Sequence, residues 1–213
     1  MQTEVLIAQL ARHAGPVHVA SMPRLALRRW LMLAATSALA GFAGFGMRAD
    51  AATRLVAADF AARACVTVLV ILASAHDAIV WGVPGLEPGR YRRWWPAIAW
   101  MTWLVLIAAP LFGPDAVGRL FAARSHAHCA WQMALVSVLP AIVLFRRLRA
   151  SAPYFPGWAS AQAGLASAGV GALTVQVVCG IDGPAHYVAW HAAPWLVLTV
   201  ALAAAGRLLL RQH

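Results

Sequence analysis

Residues 62–83 read ARACVTVLVILASAHDAIVWGV, and this stretch decides the fold class. Apart from Arg63, His76 and Asp77, it consists of apolar or small, weakly polar residues. An α-helix needs about 20 such residues to cross the roughly 30 Å hydrocarbon core of a bilayer. The stretch therefore predicts a transmembrane helix.

Five more apolar runs occur along the chain, separated by short segments rich in glycine and proline. The predicted spans lie near residues 30–47, 62–83, 94–113, 128–145, 157–178 and 186–206. We therefore expect an all-α, polytopic membrane protein, built as a bundle of six transmembrane helices.

The composition excludes a soluble domain. Of the 213 residues, 62% are hydrophobic and only 11% are charged, against about 25% charged in an ordinary globular chain. The net charge of +10 comes from 17 basic residues, all arginine, most of which fall between the apolar runs. Arginines so placed set membrane orientation, so we expect contact with the lipid bilayer and no direct binding to nucleic acid.

The arginines also predict the orientation. Most of them fall in the N-terminal segment, in the segments 84–93 and 146–156, and in the tail. The positive-inside rule places these segments, and so both termini, in the cytoplasm. We expect a cytoplasmic N-terminal segment at residues 1–29, a six-helix transmembrane domain at 30–206 and a cytoplasmic tail at 207–213.

A cleaved signal peptide over residues 1–51 is the less favoured alternative. The region before the apolar run is long for a signal peptide, and Arg48 lies beside the small-residue cleavage site.

Residues 3–14 predict a short amphipathic helix that ends before a Gly-Pro pair. Its apolar side chains are Val5, Leu6, Ile7 and Leu10. This helix is equally suited to bind a partner protein and to lie on the inner leaflet of the membrane.

The three cysteines all fall at outer ends of predicted spans. Cys129 begins the fourth span and Cys179 ends the fifth, and one short inner segment joins these spans, which makes them antiparallel neighbours. Such helix ends can reach the Cα separation of a disulfide, roughly 4.4–6.8 Å. The alternative is two buried thiols that only pack, and Cys65 is expected to be inert.

Histidines add possible metal ligands at the same end. The candidate set is His126, His128, Cys129, Met133, Cys179 and His186. Thiolate, thioether and imidazole suit soft metals such as Cu(I), and imidazole also suits Zn(II). No resident cofactor is required, so the expected ligand is a transient ion of the copper or zinc class. The alternative is that these histidines are hydrogen-bonded structural residues.

His76 and Asp77 lie inside the second predicted span. Ionisable side chains at this depth are costly and are therefore candidates for function, such as proton transfer. They can also form a polar clasp with Gln162 or Gln176 of the fifth span, which is the favoured alternative.

Enzyme signatures are missing from the sequence. No HExxH, P-loop, CxxC or Ser/His/Asp set is recognised. A sensor or interaction protein fits these features better than an enzyme.

Several motifs together carry a family resemblance. They are Thr3-Glu4-Val5-Leu6-Ile7 with Leu10-Ala11, the Pro16-Val17 break, the arginine-rich start of span one, the cysteine that opens span four with Pro140 inside it, and Cys179-x-x-Asp182 followed by Trp190. In these motifs the chain resembles the NrsF family of six-span bacterial anti-sigma factors. The resemblance covers essentially the whole chain, and Cys129 with Cys179 is its most specific part.

The resemblance implies a bacterial inner-membrane regulator that sequesters an extracytoplasmic-function sigma factor on the cytoplasmic side. In that family two outer-face cysteines are linked to the sensing of metal or oxidative stress, a role that transfers to Cys129 and Cys179 only. The main alternative is a membrane redox or metal-handling protein with a periplasmic Cys/His site, and a small transporter using His76 and Asp77 is a third. The oligomeric state and the nature of the signal stay open.

Overall fold

The protein is described here from a computed structural model covering residues 3–13, 22–83, 86, 94–108, 127–151 and 153–210. These residues form helices and connecting segments, with no strand among them. The helices are α1 Thr3–His13, α2 Pro23–Phe45, α3 Ala51–Leu55, α4 Ala58–Trp81, α5 Trp95–Ala108, α6 Ala127–Ser151, α7 Pro156–Val178 and α8 Pro184–Leu209. Helix α8 contains one π-helical turn, Val188–Ala192.

Prolines mark the starts of three long helices. Pro23, Pro156 and Pro184 lie in the first turns of α2, α7 and α8. The missing proline N–H costs nothing there, because the first N–H groups of a helix have no partner within it. Helix α2 begins at Pro23, before the predicted first span at residues 30–47.

Four helices are long and apolar enough to cross a membrane: α4, α6, α7 and α8. Helix α5 is apolar but has 14 residues, and residues 109–113 of the predicted third span lie outside the described residues. Helix α2 has 23 residues and carries Arg24, Arg28 and Arg29 near its start. The helical class is confirmed, whereas the number of six spans and the orientation of the termini stay predictions.

Helix α7 is the centre of the bundle and packs against α2, α4, α6 and α8. Nearly all its residues from Ala159 to Val177 are buried. Small residues allow its neighbours to come close. A Cβ on Gly171 would collide with the backbone oxygen of Met133 in α6, and one on Gly206 of α8 would collide with Ser160. Close backbone approach through small residues is typical of helix packing in membranes.

Large apolar side chains are exposed along the outer surfaces of the surrounding helices. They include Met32, Leu39, Leu69, Leu72, Leu139, Ile142, Val197 and Val200. Soluble proteins rarely expose apolar surface this extensive, whereas lipid tails solvate it. The surface therefore fits a bilayer environment.

The bundle has two chemically different ends. One end, the cysteine end, carries Cys129 and Cys179; α2 and α7 end there, and α4, α6 and α8 begin there. At this end the side chain of Arg48, which follows α2, bonds to Asp182, which lies between α7 and α8. At the opposite end, the arginine end, the ring of Trp81 packs edge-on against Phe155 at 5.5 Å. The described arginines of that end are Arg24, Arg28, Arg29, Arg146, Arg147, Arg149 and Arg207.

Candidate thiol and imidazole site

The structure brings Cys129 and Cys179 together at the cysteine end. Cys129 lies in the first turn of α6 and is 1% exposed, and Cys179 directly follows α7 and is also buried. The Cys129 thiol donates to the Cys179 sulfur, with 3.7 Å between the Sγ atoms. Both are free thiols, as is Cys65, which is exposed on α4.

Two histidines of α8 complete the cluster. His186 Nε2 lies 3.4 Å from Cys179 Sγ and 3.9 Å from Cys129 Sγ. The His191 ring lies 5.4 Å from the His186 ring, measured between centroids. One ligand atom from each of Cys129, Cys179, His186 and His191 lies within 4.8 Å of the others, and all four residues are buried.

The π-helical turn of α8 explains how His186 and His191 share one face. Residues five apart point in different directions on an α-helix, which has 3.6 residues per turn. A π turn is closed by i→i+5 hydrogen bonds, so five residues make about one turn. The turn spans Val188–Ala192, and Pro194, which lacks the N–H of a regular helical bond, follows it.

Arg48 fastens the segment that carries Cys179. Its guanidinium donates two hydrogen bonds to the Asp182 carboxylate, each 2.7 Å, and two to Asp50, at 2.6 and 2.9 Å. It also donates to the backbone oxygen of Cys179 at 3.1 Å. The Arg48 side chain is only 4% exposed. The end of α2 is thus joined to residues 179–182 by one buried cation.

Charge pairing shifts the pKa values of these groups. Hydrogen bonds from Arg48 lower the pKa of both Asp182 and Asp50. The bond to Asp182 is the main reason that the pKa of Arg48 is raised. The hydrogen bond from the Cys129 thiol lowers the pKa of Cys179, which favours the thiolate at that sulfur. The side chains of Arg48, Asp50 and Asp182, which together form the Arg48 clamp, are therefore charged at neutral pH.

A second polar contact supports the site from α4. The Gln176 amide nitrogen donates to the backbone oxygen of Phe60 at 3.3 Å, and its oxygen accepts from the Tyr187 hydroxyl at 3.0 Å. The Arg63 guanidinium lies 5.5 Å from the centre of the Tyr187 ring. These bonds hold α7 and α8 in register beside the cysteines.

Metal binding by the other three predicted ligands stays a prediction. Met133 is fully buried one turn along α6 from Cys129 and lies in the same apolar cluster as Cys129 and Cys179. His128 is exposed on α6. His126 lies outside the described residues. Sequence reasoning placed His191 at the outer end but left it out of the metal-ligand set, and it missed the role of Arg48. For His191, the available signal was its spacing of five residues from His186, just before Pro194. For Arg48, the signal was its position directly after a predicted span, with Asp50 two residues later.

The intramembrane pair lies away from the cluster. Asp77 is buried and His76 is half-buried, both in the second half of α4. Gln176 bonds to Phe60 and Tyr187 rather than forming a clasp with this pair, because it lies at the cysteine end of α7. A clasp to Gln162 stays a prediction.

The predicted partner-binding helix is present as α1. Val5 and Ile7 are exposed on it. The side chains of Leu6 and Leu10 lie outside the described residues. Binding of a partner by these four residues stays a prediction.

Fold and site together define a helical protein with apolar, membrane-length helices and a buried thiol–imidazole cluster at one end. The sequence model of the NrsF family, described as negative regulator of sigma F, matches residues 10–212. The chain therefore belongs to the NrsF family, which confirms the resemblance. The match begins at Leu10, after Val5, Leu6 and Ile7. No curated protein and no solved structure matches the chain.

Proposed function

We propose that this protein is an inner-membrane anti-sigma factor that sequesters an extracytoplasmic-function sigma factor. It releases the sigma factor when Cys129 and Cys179 sense a metal or an oxidant on the periplasmic side. The family description supports the sigma partner. The observation that carries the sensing role is the 3.7 Å separation of the two Sγ atoms, because thiols this close can share one ion or form one bond.

The charge distribution supports an arrangement with the arginine end in the cytoplasm. Helices α2, α6 and α8, which carry the described arginines of that end, contain no Asp or Glu. An excess of arginine on one side of a membrane protein is typical of its cytoplasmic face. A cytoplasmic sigma factor would then meet the arginine end and α1, on which Val5 and Ile7 are exposed.

Helix α2 supplies a direct connection between the two ends. Arg48, which follows α2, is bonded to the segment that carries Cys179. Along its length α2 packs on α6 and α7: the Trp30 indole donates to the backbone oxygen of Pro140 at 3.0 Å, and Gly41 lies against Thr174 and Val136. The 23 residues of α2 span about 34 Å, so a shift at Cys179 would reach the start of α2, which follows α1.

The energy required is modest. A tenfold change in sigma affinity corresponds to about 1.4 kcal/mol. A disulfide contributes about 2–4 kcal/mol, which is enough if it forms in one state only. With hydrogen peroxide as oxidant, the two thiols lose two protons and two electrons, one S–S bond forms, and the peroxide becomes two water molecules.

The test is to solubilise the protein gently from its native membrane and ask whether a sigma factor co-purifies. A second chain lacks residues 1–22, so that α2 keeps its start at Pro23. A double substitution, Val5→Ser with Ile7→Ser, is compared with Val56→Ser, which changes an exposed residue near the cysteine end.

We expect the complex from the full chain and from Val56→Ser, with loss on truncation and weakening in the double substitution. A complex that survives truncation would move the contact from α1 to the inner segments at the arginine end. Absence of any sigma factor under reducing, unstressed conditions would contradict the proposed function.

A membrane metal-handling protein is the second candidate, favoured by the four buried donors. It predicts tightly bound, stoichiometric metal in protein from which every sigma factor is absent.

A further inference from the structure

We propose that Cys129, Cys179, His186 and His191 together bind a single divalent ion of the zinc class in tetrahedral geometry. The inference rests on the proposed sensing role of the two cysteines and adds two histidines and one ion class to it. Its physical basis is independent of any sigma factor.

The distances between donor atoms have the dimensions of a zinc site. With Zn–S bonds of about 2.3 Å and Zn–N bonds of about 2.0–2.1 Å, tetrahedral angles put two sulfurs about 3.8 Å apart and a sulfur and a nitrogen about 3.6 Å apart. The two Sγ atoms are 3.7 Å apart, and His186 Nε2 lies 3.4 and 3.9 Å from them. A disulfide needs about 2.05 Å, so the arrangement has the spacing of a metal site.

His191 is the independent observation that points to a ligand. His191 is 1% exposed, and among the described residues its ring nitrogens have no partner apart from an interaction with the Cys179 sulfur. A buried polar group with so few partners is costly, so native structures rarely keep one without a reason. Its donor atom lies within 4.8 Å of those of Cys129, Cys179 and His186, where coordination of a shared ion would satisfy it.

The donor types select the class of ion. Two thiolates and two imidazoles in a closed set are typical of zinc, whereas magnesium and calcium take oxygen ligands. The carboxylates of Asp182 and Asp50 are both held by Arg48. The set therefore remains two sulfurs and two nitrogens.

Charge balance also favours a divalent ion. When the ion binds, both thiols release their protons to solvent and two metal–sulfur bonds form, so two thiolates neutralise the double charge. A neutral complex is suited to this buried position, because an unbalanced charge in an apolar setting is very costly. Binding and disulfide formation then compete for the same two sulfurs.

The experiment uses the full-length protein in lipid nanodiscs, reduced with a phosphine, without sigma factor. Cobalt(II) serves as the spectroscopic probe and zinc competition gives the affinity. We expect binding of a single ion, with sulfur-to-cobalt charge-transfer bands in the near ultraviolet and intense visible bands of tetrahedral cobalt.

Variants assign the ligands. His191→Ala should weaken zinc binding at least about 100-fold, since loss of even an outer-shell partner costs roughly 10–100-fold. His191→Cys should retain cobalt and add charge-transfer intensity, which tests the position even if the alanine variant fails to fold. The matched controls are His128→Ala and Cys65→Ser, which change an exposed histidine and an exposed thiol and should bind as the wild type does.

Unchanged zinc affinity in His191→Ala, or the absence of tetrahedral cobalt bands in the wild type, would overturn the proposal. A folded His191→Cys variant without added charge-transfer intensity would also overturn it. None of these results depends on a sigma factor, so failure here is distinguishable from failure to co-purify one.

Discussion

The two ends of the bundle use arginine in opposite ways. At the cysteine end, Arg48 is buried and binds Asp50 and Asp182, and Arg63 pairs with Asp59 at 2.9 Å. At the arginine end, Arg24, Arg28 and Arg29 are exposed on α2, a helix with no acidic residue. Among these described arginines, those of the cysteine end pair with carboxylates, whereas those at the start of α2 are exposed.

The two ends therefore meet different structural requirements: the cysteine end those of a site that detects a signal, and the arginine end those of a surface that binds a partner. A site that detects the binding of one ion or the formation of one bond needs donor atoms at fixed positions. Ion pairs around the site help to hold those donor atoms in place. Cations that face outward remain available to lipid phosphates and to an acidic partner surface. In the proposed function, the cysteine end is therefore the input and the arginine end the output.

Substitution of both cysteines of the cysteine end should have the largest effect on the response and tests this comparison most directly. Cells carrying Cys129→Ser with Cys179→Ser should lose all induction of a sigma-dependent reporter by zinc or peroxide, because neither a metal–thiolate bond nor a disulfide can form. Cys65→Ser should respond as the wild type does. Normal induction in the double variant would move the sensor away from the cysteine end.

Close packing of α6 on α7 gives the next largest effect. Gly171→Ala would place a Cβ against the Met133 backbone oxygen and the Ser137 hydroxyl, so we expect a loss of about 1–3 kcal/mol in the free energy of unfolding. Gly44→Ala is the matched control, since no atom lies within 4 Å of its Cβ, and it should stabilise by up to about 1 kcal/mol. Thermal unfolding in detergent measures the stability of both variants. Equal changes in the two variants would show that stability does not depend on the close contact between α6 and α7 at Gly171.

The Arg48 clamp should give a smaller change. Arg48→Ala removes five hydrogen bonds, but both carboxylates remain in contact with water, so we expect a loss of about 1–2 kcal/mol. The rate of oxidative cross-linking of Cys129 to Cys179 should also change, because their segment loses its anchor. Arg48→Lys should be intermediate, since one ammonium cannot reproduce the guanidinium fork.

Arg54→Ala is the control for that measurement. Arg54 reaches Asp59 and Asp182 only at 3.4 and 3.3 Å and is partly exposed, so its loss should cost less than about 1 kcal/mol. A larger effect for Arg54 than for Arg48 would contradict the assignment of the clamp.

Acidification should give the smallest effect. Arg48 lowers the pKa of Asp182 below its usual 3.8. The stabilisation by this carboxylate is therefore complete above pH 3.8 and is lost only as the pH falls through the lower, folded-state pKa. The difference in unfolding temperature between wild type and Asp182→Asn should stay constant from about pH 7 to about pH 5 and shrink near pH 3. A difference that does not shrink near pH 3 would contradict the lowered pKa of Asp182, and a decline between pH 7 and pH 5 would mean that a group other than this carboxylate is responsible.

Sequence reasoning predicted the helical class and the meeting of Cys129 with Cys179, because a bilayer restricts the chain to helices and short connections make neighbours antiparallel. It did not specify where α2 begins, because the three arginines after Pro23 interrupt the apolar pattern before the predicted span. It also placed Met133 among the metal ligands from its one-turn spacing, and this assignment stays a prediction, because spacing along one helix does not specify which face meets α8.

The sequence by itself determined that this chain forms apolar helices, carries an excess of arginine and brings two cysteines to one end of the bundle. Hydrophobicity, length and charge along the chain are sufficient for those conclusions. Only the tertiary structure decided that His191 joins His186 through a π turn and that Arg48 reaches Cys179 and Asp182. Those contacts depend on local helical geometry and on side chains 131 and 134 residues apart in the chain, which no periodicity in the sequence encodes.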